Sequence, residues 1–234
     1  WVSLSKYTPK TVTYNECFDI VLKALSVFGD NYLNILKTAK NNNWIDVMET
    51  ENKTTGAFEC EVYGVHPYVL LNFDHSESYA STIAHELGHA VNAYLSSENN
   101  SYITSSNPIF LAEIASTVNE VLLYNYLIEQ SKNDKEKQIY YLTELIGLFN
   151  GTFFRQANFS KFEEIVHQRI DNGESTSVFD LSDIYLELSK EYGQGVLEIS
   201  KNTHCGYQGV PHFYRAFYVY KYATGLISAI NIVE

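Results

Sequence analysis

The segment His85-Glu86-Leu87-Gly88-His89 constrains this chain more than any other. Two histidines four residues apart project from one side of a helix, one turn apart, as two ligands of a single ion must. Any fold for the chain therefore needs a helix through these positions, with that side facing a site. Glu86 stands next to the first histidine, where it can reach an ion-held water and act as general base. With 7 His and 20 Glu in 234 residues, chance yields roughly 0.02 such motifs, so coincidence is a poor account. Ala84 and Gly88 keep the helix surface small around the histidines. Zinc takes neutral imidazoles, a carboxylate suits the remaining protein position, and an open fourth position takes water or substrate.

The flanks support a helix. Asp74-His75-Ser76-Glu77 reads as a capping box for a helix running to about residue 95, with Ala80, Ile83, Leu87, Ala90, Val91 and Tyr94 as its apolar face. A third ligand requires a second helix that crosses the first. Asn107-Pro108 opens one, read as a cap followed by Pro at the first helical position. On it Glu113, Ser116, Thr117 and Glu120 share a face, set against Phe110, Ile114, Val118, Val121 and Leu122. Glu113 follows His89 by 24 residues, room for a loop and a return helix. Spacing alone makes it a candidate only, because acidic residues on such a face are more often solvated.

Elsewhere, Thr13-Tyr14-Asn15-Glu16 is a second capping box, opening a periodic run through Cys17, Ile20, Val21, Ala24, Leu25 and Phe28. A further helical run covers 30–41 and breaks at Asn41-Asn42-Asn43. Residues 55–73 alternate in β fashion around Gly64 and Pro67 and predict two short strands, a hairpin. From Asp74 the pattern is helical almost to the end, with Asn172-Gly173 and Gly193 as stops. The class is mainly α, with a small β-hairpin or sheet element beside the helix of the histidine pair. There is no repeat, no low-complexity tract and no linker, so residues 1–234 read as one catalytic domain.

Several segments together resemble oligoendopeptidase F of the M3 metallopeptidases. They are His85-Glu86-Leu87-Gly88-His89, Ala112-Glu113-Ile114-Ala115-Ser116-Thr117-Val118-Asn119-Glu120, Arg155-Gln156-Ala157-Asn158-Phe159, Pro67-Tyr68-Val69-Leu70-Leu71-Asn72-Phe73 and Pro211-His212-Phe213-Tyr214. The resemblance implies a helical, zincin-like catalytic domain with one zinc ion per chain, held by His85, His89 and Glu113, and Glu86 as general base. It also implies cleavage of internal bonds in short oligopeptides. Glu120 is expected to support a histidine ligand rather than bind the ion. The family points to a His and a Tyr from the stretch 212–222 as donors to the tetrahedral oxyanion. His212 and Tyr218 are the choice, with Tyr214 and Tyr220 left open. The family also carries a large helical lobe before the residue that is Trp1 here and further helix after Glu234. The chain begins at Trp1 and stops inside the apolar stretch 226–233, so both ends read as cuts, and self-association through uncovered apolar surface is expected.

Composition removes other classes. A net charge of −12 with three arginines gives no basic footprint for nucleic acid or for an anionic membrane surface. No apolar run is long enough to cross a bilayer. Cys17, Cys60 and Cys205 are widely separated and odd in number, which suits a reducing, cytoplasmic location. His66, His75 and His167 have no partner at ligand spacing and read as structural or solvated. Gly56-Ala57-Phe58 offers a strand edge to a peptide, or else an ordinary hairpin. The expected activity is that of a zinc endopeptidase on oligopeptides. The alternative is a non-catalytic peptide-binding protein that retains the motif, against which the intact Glu86 weighs.

Overall fold

The computed structural model describes residues 4–196, 198–200 and 202–234. Thr13 starts the first helix, α1 (Tyr14–Ala24), with the capping box its sequence predicts: its hydroxyl accepts from the Glu16 N–H, and the Glu16 carboxylate accepts from the Thr13 N–H. A short 3-10 turn, Leu25–Phe28, leads into α2 (Gly29–Asn41), and Asn43 then takes a left-handed backbone that ends the run.

Three short strands follow: β1 (Ile45–Asp46), β2 (Phe58–Cys60) and β3 (Tyr68–Leu70). β2 and β3 form the expected antiparallel pair, with Glu59 opposite Val69. β1 was not expected; it pairs parallel to β3, with Ile45 opposite Val69, so the order is β1-β3-β2 and β2 lies at an edge. Strands this short are not stable alone. They hold because Val69 is buried in a common core with Phe18, Leu25, Leu36, Leu71, Ile83 and Leu87.

The helix of the histidine pair is α3 (Tyr79–Asn99), which starts and ends about four residues later than the pattern suggested. Its start differs from expectation. Asp74 closes a local turn by accepting the Ser76 N–H (2.9 Å), while Glu77 turns inward and accepts from the hydroxyls of Tyr7 (2.5 Å) and Tyr141 (2.6 Å), with Lys137 at 3.0 Å. A buried carboxylate needs such partners, and meeting that need takes Glu77 away from the helix cap. After the single turn α4 (Tyr102–Ser105) comes α5 (Ile109–Gln130), capped by Pro108 and not by Asn107, so that the helix starts one residue later than expected.

The remaining helices are α6 (Lys135–Leu148), α7 (Arg155–Asp171), α8 (Val178–Gly193) and α9 (Tyr220–Val233), with a π-helical turn at Phe149–Phe154 and 3-10 turns at Thr203–Gly209 and Pro211–Tyr214. Gly193 is still helical; Gln194 takes the left-handed cap after it. The chain divides into two compact units, Trp1–Ile146 with Gly225–Glu234, and Gly147–Thr224. The second has its own aromatic core, in which Phe162, Tyr185 and Leu188 pack with Phe159, Tyr207 and Phe213.

Candidate metal centre

The site is built where α3 crosses α5, and one glycine sets how closely they cross. A Cβ on Gly88 would lie 2.5 Å from the Ser116 Cα and 2.8 Å from the Ala115 carbonyl oxygen. Only a residue without a side chain lets the two backbones touch there. The crossing is tied by Asn119, whose amide donates to the Ala84 carbonyl (2.9 Å) while its oxygen accepts from the Tyr32 hydroxyl (2.9 Å).

This contact brings Glu113 to the histidines. His85 Nε2 and His89 Nε2 are 3.2 Å apart, and Glu113 Oε2 is 3.8 Å from the first and 3.9 Å from the second. The three form a potential metal-ligand group. The nearest point equidistant from three atoms with these separations (the centre of their circumscribed circle, in their plane) is about 2.1 Å from each, so a small contraction of the triangle suffices for the about 2.0–2.2 Å range of zinc to nitrogen and carboxylate oxygen. His85 Nδ1 lies 2.9 Å from Glu120 Oε2, and the Ser81 hydroxyl donates to the other Glu120 oxygen (2.9 Å). The proton of a neutral His85 is thereby drawn to Nδ1, leaving an Nε2 lone pair facing the other two atoms. The donor set, two imidazoles and a carboxylate, fits zinc.

The electrostatics follow from burial among carboxylates. Burial disfavours charge on His85, but Glu120, and then Glu86 and Glu113, outweigh it and push its pKa up. His89 is pushed down, by burial and by its positive neighbour His85. Glu86 is buried, and burial, with Glu113 and Glu120 nearby, pushes its carboxyl up to about 7 against the opposing pull of His85. Burial, with smaller contributions from Glu61 and then Glu86, raises Glu59 on β2 to about 7.

The face of α5 that sequence reasoning treats as usually solvated is the buried one. Glu113, Ser116, Thr117, Asn119 and Glu120 are all shielded, and the Ser116 and Thr117 hydroxyls donate back to the Glu113 carbonyl. Gly225 of α9 packs directly on Glu113. Sequence reasoning passed over Asn119, Ser81 and Gly225. Only the hydroxyl- and amide-rich composition of the α5 stripe hinted at such a network.

His212 and Tyr218 belong to the second unit. Their rings lie 5.4 Å apart, and the Tyr222 hydroxyl is 3.4 Å from His212 Nε2. Lys221 and Arg215 sit over the Tyr218 ring at 5.3 and 5.9 Å. Of the tyrosines left open by the sequence, Tyr214 is 89% exposed, and Tyr220 begins α9. Of the three histidines read as structural or solvated, His66 stacks on Trp44, His167 packs on Phe217, and His75 is exposed, with one edge against Phe73.

The family model described as "Peptidase family M3" matches residues 7–234. Oligopeptidase PepF of Bacillus subtilis (strain 168) is 37% identical over 229 residues, covering 98% of this chain and 34% of that protein. The oligoendopeptidase F homolog of Borreliella burgdorferi is 35% identical over 236 residues, covering 100% and 40%. Among solved structures, a putative peptidase from Chlamydophila abortus superposes with a TM-score of 0.80 at 35% identity, over 98% of this chain and 38% of that one. Oligoendopeptidase-F from Enterococcus faecium gives 0.63 at 28%, over 94% and 32%. The chain thus spans 32–40% of the length of these relatives. Matched from its seventh residue to its last, in sequence and in fold, the chain belongs to peptidase family M3.

Proposed function

We propose that residues 1–234 are the catalytic domain of a zinc-dependent endopeptidase that hydrolyses internal bonds of oligopeptides, with one ion held by His85, His89 and Glu113. The observation that carries this reading is the triangle of 3.2, 3.8 and 3.9 Å between their ligand atoms, with Glu86 buried beside it. A divalent ion held there would supply Lewis acidity, polarising a scissile carbonyl and making water easier to deprotonate. Glu86, buried next to the ligand His85, would accept a proton from the attacking water and return it to the leaving amine. Glu120 is a positioning residue: it orients the His85 ring and fixes which nitrogen carries the proton.

From the resemblance to oligoendopeptidase F, His212 and Tyr218 are assigned as donors to the developing oxyanion. β2, an edge strand, can take an extended peptide by main-chain pairing. Peptides are the partners; a net charge of −12 speaks against nucleic acid and anionic membrane, and no helix among the described residues is long and apolar enough to cross a bilayer. Three free cysteines suit a cytoplasmic setting. Exposed apolar side chains, Ile103 at 89% and Phe179 at 82% among them, favour self-association of the isolated chain.

Chelation tests the reading. Stripping the metal should abolish cleavage of a fluorogenic peptide, and one equivalent of zinc should restore it. Cleavage that persists in protein shown to be metal-free would refute it.

A further inference from the structure

Phe217 has a backbone φ of 54°, in the left-handed region that a bulky residue rarely enters. Such a conformation is strained and persists only where its surroundings over-determine it. Here the surroundings come from one face of α7. The Phe217 N–H donates to Glu163 Oε1 at 3.0 Å, and the Phe217 ring lies on His167, one helical turn further along, at 4.6 Å. Glu163 is only 6% exposed. A carboxylate is rarely placed so far from water unless it has a partner to hold.

The position of the outlier matters because the next residue is Tyr218. The chain leaves the turn Pro211–Tyr214, passes Phe217, and brings the Tyr218 ring back to 5.4 Å from His212. Relaxing φ from 54° to an ordinary value near −60° turns all that follows by about 110°. Tyr218 would then leave His212.

We propose that Glu163 is a positioning residue for Tyr218. Its carboxylate, braced by the contact of Phe217 with His167, holds the Phe217 backbone left-handed and so fixes where the Tyr218 hydroxyl points. The inference rests on the reading of Tyr218 as an oxyanion donor.

The test uses the intact, zinc-loaded enzyme and one fluorogenic peptide. Glu163→Leu should lower kcat by roughly 10–100-fold, as a misplaced reacting group does, while KM and zinc content stay within about twofold. Glu163→Gln keeps an oxygen acceptor and should retain most of the activity. Because Glu163 acts through Tyr218, Glu163→Leu added to Tyr218→Phe should slow the enzyme by no more than about a further twofold. Phe217→Gly, free to adopt φ near 54°, should keep a higher kcat than Phe217→Ala. Two results would overturn the proposal: a wild-type kcat in Glu163→Leu, or a loss that multiplies in full on Tyr218→Phe. If Glu163→Leu does not fold, the order of the two Phe217 variants decides, and Ala above Gly refutes it. A wild-type kcat in Tyr218→Phe itself is a different failure, that of the oxyanion assignment, and it takes the role of Glu163 with it.

Discussion

Gly88→Ala should damage the metal site without touching a ligand. The added Cβ meets Ser116 Cα at 2.5 Å, Ala115 O at 2.8 Å and Ser116 N at 2.9 Å. All three are backbone atoms of α5, so no side chain can swing away. Reaching an ordinary contact near 3.4 Å requires α3 and α5 to part by about 1 Å. If Glu113 recedes by that much from both histidines, the point equidistant from the three ligand atoms moves from about 2.1 to about 2.6 Å, outside the zinc range. The expected loss in zinc affinity is at least about 10–100-fold, the scale seen when support for a ligand fails. Overpacking the crossing should also cost about 1–3 kcal/mol of folding stability. Competitive zinc titration, with thermal unfolding of the metal-free and metal-loaded forms, measures both. Unchanged affinity and unchanged stability would refute the argument that this crossing places Glu113.

Other outcomes follow from the same geometry. Glu113→Ala should all but abolish zinc binding in the titration, whereas Glu120→Ala should weaken it by only about 10–100-fold; normal binding by Glu113→Ala would remove it from the ligand set. Glu77 supplies a pH test. Burial raises its pKa, but bonds from Tyr141, Tyr7 and Lys137 outweigh this and hold it below 4.5. A depressed folded pKa means that its stabilisation is complete above about 4.5, the unfolded value, and is lost as pH falls through the lower folded value. Glu77→Gln should therefore cost about 1–3 kcal/mol at pH 7 and flatten the acid limb of a stability-versus-pH curve; an unaltered acid limb would contradict this.

What the sequence disclosed follows from what local pattern can encode. The α3 helix and its two histidines were legible because helical periodicity and ligand spacing coincide there. The capping box at Thr13 was legible for the same local reason. Glu113 was not legible from spacing, because an acidic stripe on a helix is buried only if another backbone comes close enough to cover it, and Gly88 permits that approach. The family resemblance supplied what the pattern lacked. β1 escaped because two residues, Ile45 and Asp46, carry no alternation; their pairing is decided by the long-range partner β3. Asp74-His75-Ser76-Glu77 misled because a cap-like string gives no sign that Tyr7 and Tyr141 will claim the glutamate. Asn119 was passed over because a polar helical residue reads as solvated until its two partners, Tyr32 and Ala84, are known.

The central claim is that Glu86 serves a site formed by His85, His89 and Glu113 and is not itself one of its ligands. Measuring zinc stoichiometry and peptide turnover on the same preparation of Glu86→Gln tests it most directly. The variant should carry one zinc per chain with near-normal affinity and hydrolyse peptide at least about a thousandfold more slowly. Loss of the metal together with the activity, or turnover at the wild-type rate, would contradict the account.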